Sequence, residues 1–173
     1  MFIVDPHREY AKETESRVVI RFQDCDPLKH LNNAKYFDYF FNAREDQIPK
    51  LYGVEITDLI KSQEAYWVVY NHHIAYLKPA NLGEWVKIVT RLVWFDDNTI
   101  VVEYVMLDEH KSILKTVMWS TLKYVGMNSS RTTNHSDEVK AYLNAMCFEG
   151  VNYHPTLFDE RVSQIKKEIQ INI

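Results

Sequence analysis

Residues 21–44 read RFQDCDPLKHLNNAKYFDYFFNAR, and this stretch is the most informative in the chain. A strand-like run ends here in a polar loop, and the loop leads into an aromatic stretch with helical spacing. The start of a helix presents unpaired backbone N–H donors. A carboxylate beside such donors favours acyl transfer, because attack on a carbonyl needs a base and a group that holds the oxyanion. Five polar residues of the loop are candidates for this chemistry: Asp24, Asp26, His30, Asn32 and Asn33.

The pattern of apolar residues predicts the remaining elements. Apolar residues recur every three or four positions after the loop, which predicts a helix over residues 33–47. Strand-like runs bounded by turn residues predict five strands, at 18–24, 65–77, 85–94, 99–107 and 113–125. A strand, one helix and four more strands favour an α+β layer with the helix packed on one sheet face. Ser136 is placed to cap a helix that ends at Met146, and residues 159–169 have a second amphipathic pattern.

The loop resembles that of hotdog-fold acyl-CoA thioesterases, in particular the 4-hydroxybenzoyl-CoA thioesterase-like family. The family pattern is roughly Asp-x-Asp-x-x-Gly-His-x-Asn-Asn-x-x-Tyr, followed by an aromatic helix that ends near Ala-Arg. This chain has Ala43-Arg44 downstream, and Lys29 stands where the family often has Gly. The loop itself reads Asp24-Cys25-Asp26-Pro27-Leu28-Lys29-His30-Leu31-Asn32-Asn33-Ala34-Lys35-Tyr36.

The resemblance implies a hotdog fold, in which a five-stranded antiparallel sheet wraps around a central helix. The resemblance covers a hotdog thioesterase domain at residues 17–126. It leaves an N-terminal arm (1–16) and a C-terminal extension (127–173), which the residue pattern predicts to be helical. It also implies hydrolysis of an acyl-CoA thioester to the free acid and CoA.

The family roles transfer to matching positions of this sequence. Asp26 matches the catalytic nucleophile or general base, and the backbone N–H near Asn33 matches the group that holds the thioester carbonyl. His30 is a third catalytic candidate. The candidate substrate-binding residues are Asn32, Tyr36, Tyr66 and Trp67.

Each candidate also has a structural interpretation, since Asp-Pro starts turns and Asn caps helices. Two other functions stay open: an acyl-carrier-protein thioesterase, in which Asn and His share the catalysis, and an acyl-CoA-binding hotdog protein without turnover. An enoyl-CoA hydratase of the related fold is disfavoured, because its Asp-x-Asn-Pro-x-His pattern would need a histidine one residue before His30.

Composition limits the partners. A formal charge of −4 and a pI near 6.0 give no general attraction to nucleic acid. No apolar run reaches the roughly 20 residues of a membrane span. Two distant cysteines and the absence of a signal-like start predict a cytoplasmic protein with free thiols.

We expect no metal, because His72 and His73 are neighbours in a strand and point to opposite faces. We expect no cofactor either, because a thioester is already activated.

The predicted sheet leaves an edge strand open, and such edges are usually paired or covered. Hotdog proteins that resemble this chain pair two sheets edge to edge. We therefore expect a homodimer or a dimer of dimers, joined through the strand at 65–77. The loop at residues 24–33 would then face the partner near residues 63–67.

Overall fold

The structure is a computed structural model that describes residues 9–53 and 55–171. It contains five strands and four α-helices: β1 (Thr14–Val19), α1 (Tyr36–Gln47), α2 (Ile56–Gln63), β2 (Ala65–Tyr76), β3 (Trp85–Phe95), β4 (Thr99–Asp108), β5 (Leu114–Gly126), α3 (Asp137–Met146) and α4 (Phe158–Ile171).

The strands form one antiparallel sheet in the order β1-β3-β4-β5-β2. The predicted α+β hotdog fold is confirmed, with α1 packed on the inner face of the sheet and a helical C-terminal extension. β1 and β2 are the two edges. β4 lies at the centre, and all ten of its residues are buried because both faces of the sheet are covered.

The inner core fills the space between α1 and the sheet. Phe40 of α1 is fully buried and packs among Val86, Met106 and Met118 of the strands. Side chains alternate along a strand, so these positions share one face. Burying a large apolar side chain contributes roughly 1.5–3 kcal/mol, so this layer fixes where α1 lies.

The outer face of the sheet is covered by α4. Phe158, Val162 and Ile165 pack on this face in a second cluster that includes Trp119. Beneath them Glu103 is completely buried and accepts hydrogen bonds from Arg161 at 2.9 and 3.0 Å. These contacts fasten the C-terminal helix to the central strand.

The first strand was predicted at the wrong place. β1 spans Thr14–Val19 instead of 18–24, and Phe22–Asp24 form a 3-10 turn. Polar pairs hold the early half of β1, such as the 2.7 Å hydrogen bond between Thr14 and Thr90. A search for apolar runs misses a strand of this kind. The strand starts within the predicted arm at 1–16, of which residues 1–8 lie outside the described part.

The helical segment after the loop starts as a 3-10 turn at Asn33–Lys35 and continues into α1, in agreement with the predicted span 33–47. Helix α2 was not predicted, although Ile56, Leu59 and Ile60 have helical spacing. The predicted helix that Ser136 caps is confirmed, since its hydroxyl accepts from the amide of Val139 at 3.2 Å.

Candidate active site

The loop between β1 and α1 is closed by its own backbone. The amide of Asp26 donates to the carbonyl of His30 at 2.8 Å, and the amide of Asn32 donates to the carbonyl of Asp24 at 2.9 Å. The loop is also bonded to the β2–β3 turn, since the amide of Leu31 donates to Ala80 at 2.8 Å. These bonds fix the polar residues of the loop relative to the start of the α1 segment.

Asp26 is partly buried in this loop, with its carboxylate directed at two amides. Oδ1 accepts from the amides of Leu28 at 2.9 Å and His30 at 3.0 Å. Within residues 9–53 and 55–171, Oδ2 has no hydrogen-bond partner. One oxygen therefore holds the side chain in place while the other is free to react.

Lys29 has φ = 62°, in the left-handed region that glycine adopts most easily. The position that the family often fills with Gly therefore keeps the glycine-like conformation in this chain. The carbonyl of Lys29 accepts from the amide of Leu82 at 2.9 Å, which holds the strained residue against the β2–β3 turn.

Asn32 is the N-cap of the helical segment. Its Oδ1 accepts from the amide of Ala34 at 3.0 Å. The next amide, that of Asn33, donates to no acceptor in the described part of the chain. The Asn33 carbonyl accepts from the hydroxyl of Tyr76 at 3.1 Å, which joins the helix start to the end of β2.

The side chain of Asp24 is hydrogen-bonded within the loop region, whereas the ring of His30 is not. Asp24 Oδ2 accepts from the Tyr39 hydroxyl at 2.8 Å, and burial raises the pKa of Tyr39 to about 12. Asp24 is therefore held in the wall of the loop. The His30 ring makes no hydrogen bond with the described residues, although its backbone is bonded to Asp26 on both sides.

Cys25 is not suited to nucleophilic attack. Its Sγ donates to the carbonyl of Arg21 at 3.3 Å. Burial and the neighbouring charges of Asp24 and Asp26 raise the pKa of the Cys25 thiol, which disfavours the reactive thiolate.

The sequence and the fold agree with one protein family. The family profile described as "Thioesterase-like superfamily" matches residues 20–144. The chain belongs to this superfamily. It is therefore a thioester hydrolase, as predicted. No curated protein matches the sequence at a significant level.

Solved structures similar to this thioesterase share its fold. The probable thioesterase YbaW from Escherichia coli aligns with a TM-score of 0.70 and 19% identity, over 78% of this chain and 99% of its own. A DHNA-CoA thioesterase from Staphylococcus aureus aligns with a TM-score of 0.66 and 19% identity, over 90% and 94%. A 12:0-ACP thioesterase from Umbellularia californica aligns with a TM-score of 0.74 and 15% identity, over 83% of this chain and 54% of its own.

Two candidate substrate-binding residues of this thioesterase lie far from the loop of the same chain. Tyr66 and Trp67 begin β2, whereas Tyr76 at its other end contacts Asn33. Ten residues of strand span about 33 Å at about 3.3 Å per residue. The structure brings Asp26, His30, Asn32 and Asn33 together, and leaves Tyr66 and Trp67 in a separate apolar cavity.

Tyr36 is a core residue of the thioesterase. It is 2% exposed, and its hydroxyl accepts from the amide of Ala80 at 3.3 Å. Its ring packs on Tyr76 with the two centroids 5.1 Å apart. It thus supports the two segments that border the loop, and its predicted contact with substrate stays a prediction.

No pattern in the sequence indicates a role for His135. Trp67 Nε1 donates to His135 Nε2 at 3.1 Å, and His135 Nδ1 lies 3.0 Å from the carbonyl of Asp96. Since Nε2 is the acceptor, Nδ1 carries the proton of the neutral ring. His135 is 4% exposed and orients Trp67 in the cavity wall from 68 positions away in the sequence.

The described residues of the thioesterase contain no group of three metal-binding side chains. His72 packs against Phe37 on the inner face of the sheet and His73 against Phe158 on the outer face, with ring centroids 5.0 and 5.4 Å apart. Cys25 and Cys147 are free thiols. Of the helices in the described part, none has the length and apolar character needed to cross a membrane.

Proposed function

We propose that the chain hydrolyses acyl-CoA thioesters, with Asp26 as the nucleophile or general base. The observation that carries the proposal is the Asp26 carboxylate, which two amides hold beside the start of the α1 segment. Its free Oδ2 can attack the thioester carbonyl, so that the C–S bond breaks, CoA leaves as the thiolate and a transient anhydride forms, which water then hydrolyses. Alternatively, it takes a proton from a water that attacks the carbonyl and displaces CoA directly. Water is the final acceptor in both routes, and neither needs a cofactor.

The oxyanion is held by backbone rather than by a side chain. The amide of Asn33 is the first N–H of the helical segment and is free to donate. The partial positive charge of a helix N-terminus adds to its effect on a developing oxyanion. Asn32 contributes by fixing the turn through its cap.

A second candidate substrate is an acyl-carrier-protein thioester, for which His30 would act with an asparagine side chain. The free ring of His30, close to Asp26 in the same loop, favours this alternative. Proteins described as CoA and as ACP thioesterases both occur among the structural neighbours, so the fold is compatible with both carriers.

The proposed active unit is a dimer joined through β2. This edge strand exposes Val68, Val69 and Tyr70 by 41, 42 and 69%. An antiparallel pairing centred near Asn71 would bring Tyr66 of the partner subunit beside Tyr76, and therefore beside the loop. This arrangement explains how Tyr66 and Trp67 could contact substrate although they lie far from Asp26 within one chain.

A hydrolysis screen tests the proposal. It uses acetyl-, medium-chain, long-chain, branched and aryl-CoA together with an acyl-carrier-protein thioester, and follows thiol release. We expect turnover of at least one CoA thioester by the wild-type protein. Turnover of the carrier-protein thioester alone, with greater loss in His30→Ala than in Asp26→Asn, would establish the alternative instead.

Light scattering tests the dimer. We expect an active species of about twice the chain mass of 20.6 kDa at micromolar concentration. A dimer of dimers would keep the same β2 pairing. A stable, active monomer would contradict the shared site.

A further inference from the structure

An apolar cavity of about 370 Å³ lies between the C-terminal half of α1, helices α2 and α3, and the inner face of the sheet. None of the residues that line it belongs to the loop at 24–33. Most of the wall is aliphatic or aromatic, and it includes Ile48, Leu59, Trp67, Val102 and Leu143.

Arg44 is a buried charged residue in this wall. It is only 8% exposed, and its Nη1 donates to Thr90 Oγ1 at 3.0 Å. No carboxylate of residues 9–53 and 55–171 lies within 4.0 Å of its guanidinium. The comparably buried Arg161 has such a partner, since it forms an ion pair with Glu103 at 2.9 Å. Buried charges are normally paired, but this cation of the cavity has no counter-ion among the residues that the structure describes.

Two hydroxyl groups lie near this cation. Burial raises the pKa of Tyr104 to about 12 and also raises the pKa of Tyr52, while the charge of Arg44 acts in the opposite direction on both. Both phenols therefore stay protonated. Tyr104 lines the cavity and can donate a hydrogen bond to an anion there, whereas Tyr52 lies outside the lining and is hydrogen-bonded to Arg44. Glu45 also lines the cavity, but its side chain is exposed.

We propose that this cavity binds an apolar chain that ends in a carboxylate, with the carboxylate on Arg44. The volume accommodates roughly twelve methylene groups, at about 30 Å³ for each water-sized group. Such a ligand has two possible sources. It is a free fatty acid, or it is the distal carboxylate of a dicarboxylic acyl thioester whose thioester end lies at the loop of the other subunit. The second source rests on the proposed function, including its dimer through β2, and the first does not.

Binding of dodecanoate and of 1-dodecanol tests the proposal without reference to activity. The two ligands share a chain and differ in charge, and calorimetry or tryptophan fluorescence follows their binding. We expect the wild-type protein to bind dodecanoate at least tenfold more tightly than dodecanol. We expect Arg44→Met to remove this preference and Arg44→Lys to keep part of it.

Arg131→Met is the matched control, because it removes the same charge from an exposed position outside the cavity. We expect it to bind both ligands as the wild-type protein does. Equal affinity of the wild-type protein for dodecanoate and dodecanol would overturn the proposal, even if Arg44→Met fails to fold. An unchanged preference in folded Arg44→Met would do the same.

Hydrolysis of sebacoyl-CoA and decanoyl-CoA distinguishes the two sources. If Arg44→Met lowers kcat/KM for the dicarboxylic thioester at least tenfold and spares the other, the ligand is a dicarboxylic acyl group. If the variant alters only dodecanoate binding, the ligand is a free acid. If no thioester of the full hydrolysis screen is turned over while dodecanoate still binds through Arg44, the proposed function fails and this inference stands.

Discussion

At the scale of single residues, Lys29 shows how the loop keeps its shape without the expected glycine. Its positive φ is a conformation that costs a residue with a Cβ about 1 kcal/mol or more. The bonds of the loop to the β2–β3 turn offset this strain. The same bonds keep Asp26 beside the start of the α1 segment.

We predict that Lys29→Gly raises the free energy of unfolding by up to about 1 kcal/mol, because glycine adopts this φ without strain. Urea denaturation measures the change. Lys78→Gly is the control, since Lys78 has no positive φ and should only lose stability. A Lys29→Gly protein less stable than the wild type would show that the lysine side chain contributes more than its backbone strain costs.

His135 makes the stability of the folded protein depend on pH. Burial lowers the pKa of His135, with Asp96, Asp97 and Lys140 as its charged neighbours. The unfolded chain therefore binds more protons than the folded one below the ordinary histidine pKa of about 6.5. The stability that neutral His135 contributes is fully present above that pH. It is lost as the pH falls, because protonated Nε2 cannot accept the hydrogen bond from Trp67.

We predict that the free energy of unfolding decreases between pH 7.5 and pH 5, and that His135→Gln decreases less steeply over the same range. Burial lowers the pKa of His72 as well, so some slope should remain. His110→Gln, at an exposed position, is the control and should follow the wild type. Identical slopes for His135→Gln and the wild type would exclude this role of His135.

At the scale of elements, the sequence correctly predicted the strands whose positions are set by local patterns of apolar and turn residues. β3, β4 and β5 appear within one or two residues of their predicted ends, because apolar runs between turn residues are local signals. β1 was misplaced because cross-strand polar pairs hold it, and these pairs depend on the partner strand. The contact of Trp67 with His135 was not predictable for the same reason, since it joins residues distant in sequence.

The helix cap gives a prediction at this scale. Asn32→Ala removes the acceptor for the amide of Ala34 and should cost about 1 kcal/mol of stability. Asn33→Ala should cost less and leave kcat largely intact, because only the Asn33 backbone is proposed to hold the oxyanion. Thermal melting and kcat of both variants test this prediction. A large loss of kcat in Asn33→Ala at unchanged melting temperature would assign the chemistry to its side chain.

At the scale of the whole molecule, α4 adds a third layer on the outer face of the sheet; the sequence predicted a helix in this segment but not where it packs. Glu103 joins this layer to the sheet, because it also accepts from Trp119 Nε1 at 3.0 Å and pairs with Arg91 at 3.1 Å. The positive charges of Arg161 and Arg91 and the hydrogen bond from Trp119 lower the pKa of Glu103 against the effect of burial.

We predict that Glu103→Gln lowers the free energy of unfolding by about 3–5 kcal/mol, because the buried Arg161 loses its fully buried counter-ion and keeps only the exposed Glu168. Denaturation followed by tryptophan fluorescence measures the loss. Glu109→Gln, which breaks an exposed pair with Arg17, is the control and should change stability by less than about 1 kcal/mol. Equal effects of the two substitutions would mean that Glu103 does not fasten α4.

The most direct test of the central claim compares two identical substitutions in the loop, Asp26→Asn and Asp24→Asn. An asparagine at position 26 can still accept from the amides of Leu28 and His30, so the fold should persist. With the preferred thioester, we predict that Asp26→Asn lowers kcat by 10² or more, whereas Asp24→Asn stays within a few-fold of the wild type. Near-normal kcat in folded Asp26→Asn would contradict the assignment of Asp26 as the catalytic carboxylate.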